Sequence, residues 1–280
     1  MATYFFSRIS INMDGDYLKK IEYLYSILTK AEPIIYRKDY YRTIDILIRK
    51  IGVKSYLTGR LIKYASQHSE RILNDDNQIE DVILRNPLLA DIKFMIDANE
   101  MMFIYQEDRS YIPRDSVAER LLGIINENTR QDIQQFPISI TSITESYTFL
   151  NRIKEIKELK KITIKLHPSN PNNRDRWKKL DEKLKADNIT DYKEVQENKT
   201  KGESIIVDDE TIGKIMMGED GYGETKAEGF DQNGEWTSIK TNSNEVQAKA
   251  DIPSEDDIAQ EIQNLQKKID EIKNKPDIQG

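Results

Sequence analysis

FPISITSITESYTFLNRIKEIKELKKITIKL, residues 136–166, is the most legible architectural unit of the chain. Ile138, Ile140 and Ile143 read as a strand, and 145–159 as a basic amphipathic helix. Ile162-Thr163-Ile164-Lys165-Leu166 reads as a second strand, because β-branched residues at period two suit a pleated, half-buried surface. Strand, helix and strand in that order predict a βαβ unit, whose two strands would lie parallel.

Working outward, strands and helices alternate without a long repeat. Residues 4–11 are rich in aromatic and β-branched side chains and predict a strand. After the turn Asp14-Gly15-Asp16, the apolar positions Leu18, Ile21, Tyr25 and Leu28 predict a helix. Residues 36–51 are ambiguous, since Tyr40, Ile44, Leu47 and Ile48 fall at helical spacing while Tyr and Ile favour strands. Residues 92–96 and 101–105 flank a polar turn and predict a hairpin. Pro113 opens a helix that runs to Asn126.

Beyond 166 the loop 167–173 breaks the chain, and 174–186 and 204–217 predict helices. Strands are expected at 222–230, 235–241 and 245–251. Asp231-Gln232-Asn233-Gly234 forms a tight turn between the first two. A last helix carries Ile258, Ile262, Leu265, Ile269 and Ile272, an a/d stripe that could dock on its own domain or pair with a second copy. The expectation is an α+β protein: mixed sheets with flanking helices, two subdomains (1–130 and 131–253) and a C-terminal amphipathic helix over 254–280.

Composition narrows the chemistry. The chain has 280 residues and no Cys, so disulfides, a thiol nucleophile and Cys-ligated zinc are excluded. It has two His, His68 and His167, both read as surface or capping residues. No secretory signal and no long apolar run are legible, which predicts a cytoplasmic protein without a membrane span. No Walker or dinucleotide-binding loop has the required context, so no catalytic residue, metal site or cofactor is expected. One exception is Glu224-Thr225-Lys226, with Asp208, Asp209 and Asp220 upstream, which could hold Mg²⁺ in a nuclease.

The charge is uneven. Residues 201–280 carry 9 Lys against 19 Asp and Glu, whereas residues 1–200 carry 33 Lys and Arg against 30 Asp and Glu. Residues 37–63 concentrate Arg37, Lys38, Arg42, Arg49, Lys50, Lys54, Arg60 and Lys63, with Asp39 and Asp45 the only acids. Tyr36, Tyr40, Tyr41, Tyr56 and Tyr64 interleave with them. A second basic stretch contains Arg174, Arg176, Lys178 and Lys179 around Trp177. Cations for phosphates beside rings for bases predict a nucleic-acid-binding protein, DNA favoured, with no chemistry of its own. A protein–protein interaction subunit and the Mg²⁺-dependent nuclease are the alternatives.

The order of a Tyr-rich opening strand, a basic middle, the Thr163-Ile164-Lys165 strand, the Asp231-Gln232-Asn233-Gly234 turn and a charged terminal helix resembles the RexA-like phage-exclusion proteins. That resemblance implies a dimeric, cytoplasmic, DNA-binding sensor or effector of bacterial anti-phage defence, acting with a protein partner. It is one of architecture and assigns no individual residue.

Overall fold

The computed structural model describes residues 1–73, 75, 77–108, 112–130, 136–145, 148–169, 175–243, 246–253 and 257–275. In chain order these form β1 (Ala2–Ile11), α1 (Tyr17–Lys30), β2 (Ile34–Tyr36), β3 (Asp39–Ile51), β4 (Lys54–Ala65), β5 (Gln67–Leu73), β6 (Ile79–Arg85), β7 (Leu88–Asp97), β8 (Met102–Gln106), α2 (Arg114–Thr129) and β9 (Ile138–Ser142). There follow α3 (Thr148–Ile153), β10 (Glu158–Leu166), α4 (Asp175–Ala186), β11 (Tyr192–Glu197), α5 (Asp209–Met217), a π-helical turn (Gly218–Tyr222), β12 (Gly223–Phe230), β13 (Trp236–Lys240), β14 (Lys249–Ile252) and α6 (Ile258–Lys273). The α+β class is as expected, and every ladder among the described residues is antiparallel.

Two sheets organise two lobes. The larger runs β14-β1-β8-β7-β4-β3-β2, with β9 also on β1. Its two faces are set by alternation. Phe5, Ile9, Leu57, Leu61, Phe94 and Phe103 pack under α1 and α2. Tyr4, Phe6, Tyr56, Met95, Met102 and Ile104 pack under α6. The smaller sheet runs β11-β10-β12-β13, and its inner face, with Ile162, Ile164 and Leu166, is covered by α3, α4 and α5.

The expected βαβ unit is not formed. β9 joins the large sheet, Ile140 opposite Ile9, while β10 joins the small one between β11 and β12. Among the described residues the helix between them is Thr148–Ile153 rather than 145–159, and it stops short of Leu159 because tertiary bonds hold 158–160 extended. Leu159 N donates to Ser204 Oγ at 3.0 Å, and the buried Lys160 Nζ donates to the carbonyls of Thr200 (2.7 Å) and Glu203 (2.6 Å). Hence 136–166 is where the chain passes from one sheet to the other. β14 and α6 return to the first lobe, so β9 and β14 lie outside the second sheet despite falling within 131–253.

The ambiguous stretch 36–51 is mostly β3. A bulge between Ile44 and Leu47 inserts residues into the ladder and shifts its period-two phase. Tyr40, Arg42 and Ile44 before the bulge and Leu47, Arg49 and Ile51 after it then share a face, which imitates helical spacing in the sequence. The helix expected over 204–217 begins only at Asp209, where Asp208 caps it by accepting from Thr211 N at 2.8 Å.

The a/d stripe of α6 is used in cis. Ile262, Leu265, Ile269 and Ile272 are buried against the sheet. The buried Glu261 accepts from Tyr4 Oη and Lys93 Nζ, both at 3.0 Å. Burying each such apolar side chain stabilises by about 1.5–3 kcal/mol, so no apolar stripe remains for a coiled-coil partner. Among the described residues no helix is long and apolar enough to cross a membrane.

Where the lobes meet, the π-helical turn crosses below β1. Gly221 has φ +87, and a Cβ there would meet Arg8 Cβ at 2.6 Å and Ile143 Cγ1 at 2.9 Å. Glu219, fully buried, accepts from Thr144 Oγ1 and Phe149 N, each at 3.0 Å. Burial raises its pKa to about 7, against the opposing charge of Lys275.

Two outcomes follow. Leu265→Ala lowers the free energy of unfolding by about 3 kcal/mol in urea titration, the cost of a core cavity, without changing the solution mass. Glu219 binds its proton more tightly in the folded state, so its contribution to stability falls as pH rises from about 4 to about 7. Glu219→Gln is therefore expected to unfold at higher urea than the wild type above pH 7, by on the order of 3 kcal/mol at most, with no difference below about pH 4.

Candidate nucleic-acid interface

The eight cations of residues 37–63 are divided by strand geometry. Side chains alternate across a sheet, so Arg42 and Arg49 on β3 and Lys54 and Arg60 on β4 lie on the face that α6 partly covers. Lys50 and Lys63 point to the other face, and Arg37 and Lys38 form the β2–β3 turn, Arg37 with φ 58.

Ion pairing then separates structural from available charge. Arg60 grips Asp91 of β7 with two bonds, Nε to Oδ1 at 2.7 Å and Nη2 to Oδ2, and this hydrogen bond raises its pKa further. Lys63 pairs with Asp39 at 3.0 Å, and Lys54 with Asp270 of α6 at 3.8 Å. Arg37, Lys38, Arg42, Arg49 and Lys50 are exposed and have no carboxylate within ion-pair distance among the described residues. Arg49 Nε donates to Thr58 Oγ1 at 3.2 Å, which steadies it without neutralising it.

The tyrosines divide likewise. Tyr41 and Tyr56 are core residues, and Tyr56 Oη donates to Gln266 of α6. Tyr40 and Tyr64, opposite each other on β3 and β4, stack at 5.3 Å between centroids with 20° between planes. Tyr36 is exposed and held by the buried Arg120 of α2, whose guanidinium carbon sits 3.4 Å from the ring centroid. The outer strands therefore present two faced rings on the same face as Arg42 and Arg49, beside the turn that holds Arg37 and Lys38, while Lys50 lies on the other face.

The second basic stretch does not join them. β3 is separated from β1 by β8, β7 and β4, about 19 Å along the sheet, and α4 lies in the other lobe beyond β9. Arg176 pairs with Asp209 at 3.3 Å, Lys178 and Lys179 are exposed, and Arg174 lies outside the described residues. Trp177 is no surface ring: it is buried, with Nε1 donating to Asp220 Oδ2 at 3.1 Å and its ring 5.4 Å from that of Tyr222.

The three aspartates of the nuclease-like pattern are each engaged elsewhere. Asp208 caps α5, Asp209 meets Arg176, and the buried Asp220 holds Trp177 and faces Lys275 at 3.9 Å. Lys226 pairs with Glu228 at 2.5 Å, and Glu224 is exposed. Among the described residues no group of three side chains could hold a metal ion. His167 Nδ1 lies 3.2 Å from Asp191 at the rim of a cleft of about 760 Å³ between the lobes. There Ser169 Oγ and Lys185 Nζ both donate to the buried Asp181 Oδ2 at 2.6 Å, and Lys185 Nζ also donates to Ser169 Oγ at 3.0 Å.

Sequence reading missed the open face of the small sheet. Opposite the helical layer, Lys161 and Lys165 of β10, Lys193 of β11, Lys226 of β12 and Lys240 of β13 face outward, with Phe230 and Trp236 paired across β12 and β13. The period-two lysines of KKITIK were a signal for it, visible once those residues are read as a strand with one wet face.

Fold and surface together define a two-lobed, antiparallel α+β protein with a cationic, tyrosine-bearing sheet edge. The chain belongs to the family described as a domain of unknown function (DUF4747), which it matches over residues 3–270, from β1 through most of α6. No curated protein matches it.

The division of charge has a stability signature. Arg42→Ala and Lys50→Ala should each leave urea unfolding unchanged within about 0.5 kcal/mol. Asp91→Ala should cost more, because it strands the Arg60 guanidinium beside the sheet.

Proposed function

We propose that the protein binds nucleic acid, DNA in the first instance, on the outer strands β2–β4 of its large sheet, and performs no chemistry on it. The observation that carries this reading is that Arg42 and Arg49, without ion-pair partners among the described residues, lie on the same face of β3 as the stacked Tyr40–Tyr64 pair, with the likewise unpaired Arg37 and Lys38 in the adjoining turn and Lys50 on the opposite face. A chain of net charge -7 that leaves these unneutralised while pairing Arg60, Lys63 and Lys54 concentrates positive potential at one edge. Phosphates would be met by the guanidinium and ammonium groups, and splayed bases or sugars by the rings. Arg37 and Lys38 in their turn would reach along the backbone. A cytoplasmic sensor or effector in anti-phage defence is the biological role this reading favours, supported by the resemblance in element order to the RexA-like proteins.

A second reading, attachment to a protein partner or a second copy, is favoured by one feature. The β5–β6 hairpin projects between β4 and β7, and its strands are bonded to each other as a separate sheet. Ile79 is 73% exposed and Ile83 66%, and such a hairpin is marginal in water unless covered. With the α6 stripe buried, this arm is where a partner would sit. Ile83→Asp should then lower the solution mass or abolish partner capture.

The primary test is a mobility-shift titration with duplex DNA at low and high salt. The double variant Arg42→Glu, Arg49→Glu should weaken binding at least about tenfold and flatten the salt dependence by about 0.9 in log–log slope per lost contact. Lys178→Glu with Lys179→Glu should leave it unchanged. Absence of binding to DNA or RNA at low salt overturns the reading.

A further inference from the structure

At one end of the small sheet lies a groove of about 710 Å³ between the β10–β11 end and the β12–β13 hairpin. Its aromatic wall is Phe230 and Trp236, directly opposite each other in the ladder, with centroids 5.1 Å apart and rings nearly perpendicular. Trp236 is 56% exposed, while Trp177, the other tryptophan, is 1% exposed. An indole that stays wet on an edge strand, braced edge-on by a second ring, is a stacking surface held in place without a ligand.

The charge around this wall is sorted in the same way as on the first lobe. Glu158 pairs with Lys160 at 3.0 Å, Glu197 with Lys199 at 3.8 Å and Glu228 with Lys226 at 2.5 Å. Asp231 Oδ1 is committed to its own turn, accepting from the N–H groups of Asn233 and Glu235, both at 2.9 Å. Every carboxylate at the groove thus has a partner. Lys157, Lys161 and Lys201 line the groove, and none has an ion-pair partner among the described residues.

We infer that this groove binds an unpaired nucleotide, its base stacked on Trp236 and its phosphate held by Lys157, Lys161 and Lys201. The chemistry required is one planar heterocycle and one anion within a single small volume, which a base-paired nucleotide cannot offer because its face is already stacked. The nucleotide could be free or belong to a single strand. The inference rests on the nucleic-acid reading for its class of ligand but uses no residue of the first lobe.

The tryptophans make the test direct. Oligothymidylate and thymidine monophosphate are titrated separately into the full chain while tryptophan emission is followed, with a mobility shift on duplex DNA run in parallel. Quenching by oligothymidylate is expected, lost in Trp236→Phe, and shifted about tenfold to higher concentration by Lys157→Glu with Lys161→Glu. Lys201→Glu, in an exposed loop, gives the same shift if the paired variant fails to fold. Quenching by the monophosphate as well places a free nucleotide in the groove, and quenching by the oligomer alone places a strand there. No quenching by either ligand, or quenching indifferent to the lysine variants, overturns the inference. Arg42→Glu with Arg49→Glu should weaken the duplex shift at least about tenfold and leave quenching intact, so failure of one site is distinguishable from failure of the other.

Discussion

β1 is the strand on which the two lobes depend. On one side it pairs with β8, and on the other its first half pairs with β14 and its second half with β9. A single ten-residue strand thereby joins segments from both ends and the middle of the chain. It is buried along nearly its whole length, so every backbone group must find a partner in the ladder or pay a desolvation cost. Arg8 extends this role to the second lobe. Its guanidinium donates to the carbonyls of Glu100 (2.6 Å) and Asp220 (3.2 Å) and lies 5.0 Å from the centroid of the Tyr222 ring. A buried cation satisfied by carbonyls and a π face ties the π-helical turn to β1.

Around that frame, the same residue types serve different ends according to what faces them. Lys160, Lys214 and Arg60 are structural: each is matched to carboxylates, and Lys214 pairs with both Glu194 and Glu210 at 2.7 Å. Burial lowers and these bonds raise the pKa of Lys214, and the bonds win, so it stays charged. Among the described residues, Arg37, Lys38, Arg42, Arg49 and Lys50 of the first lobe and Lys157, Lys161 and Lys201 of the groove beside Trp236 have no such partners. Exposed pairs contribute little to stability, so leaving them unpaired costs the fold almost nothing and keeps their field available to a polyanion.

Much of the fold was readable where one physical signal acted alone. α1, α2 and α6 have apolar stripes at helical period, and the β7–β8 and β12–β13 hairpins have alternating runs around polar turns. Reading went astray where a local pattern was overridden at long range. The β3 bulge disguised period two as helical spacing, and bonds from Ser204, Thr200 and Glu203 converted the end of an expected helix into β10. Trp177 and Trp236 show the same for the sites. Both sit in charged neighbourhoods, yet one is walled in by α4, α5 and the π-helical turn and the other stands on an open edge.

The sequence by itself determined the α+β class, the positions of most elements, the apolar stripe of the last helix and a basic stretch interleaved with tyrosines. These follow from periodicity and composition, which are local properties. Tertiary structure alone decided that α6 docks in cis, that 136–166 bridges two sheets, and that the two basic stretches lie in different lobes. It also decided which cations are neutralised, because Asp91, Asp39 and Asp270 reach Arg60, Lys63 and Lys54 from separate strands and from α6. Charge becomes a surface only when the fold has chosen its neighbours, and ladder pairing makes that choice.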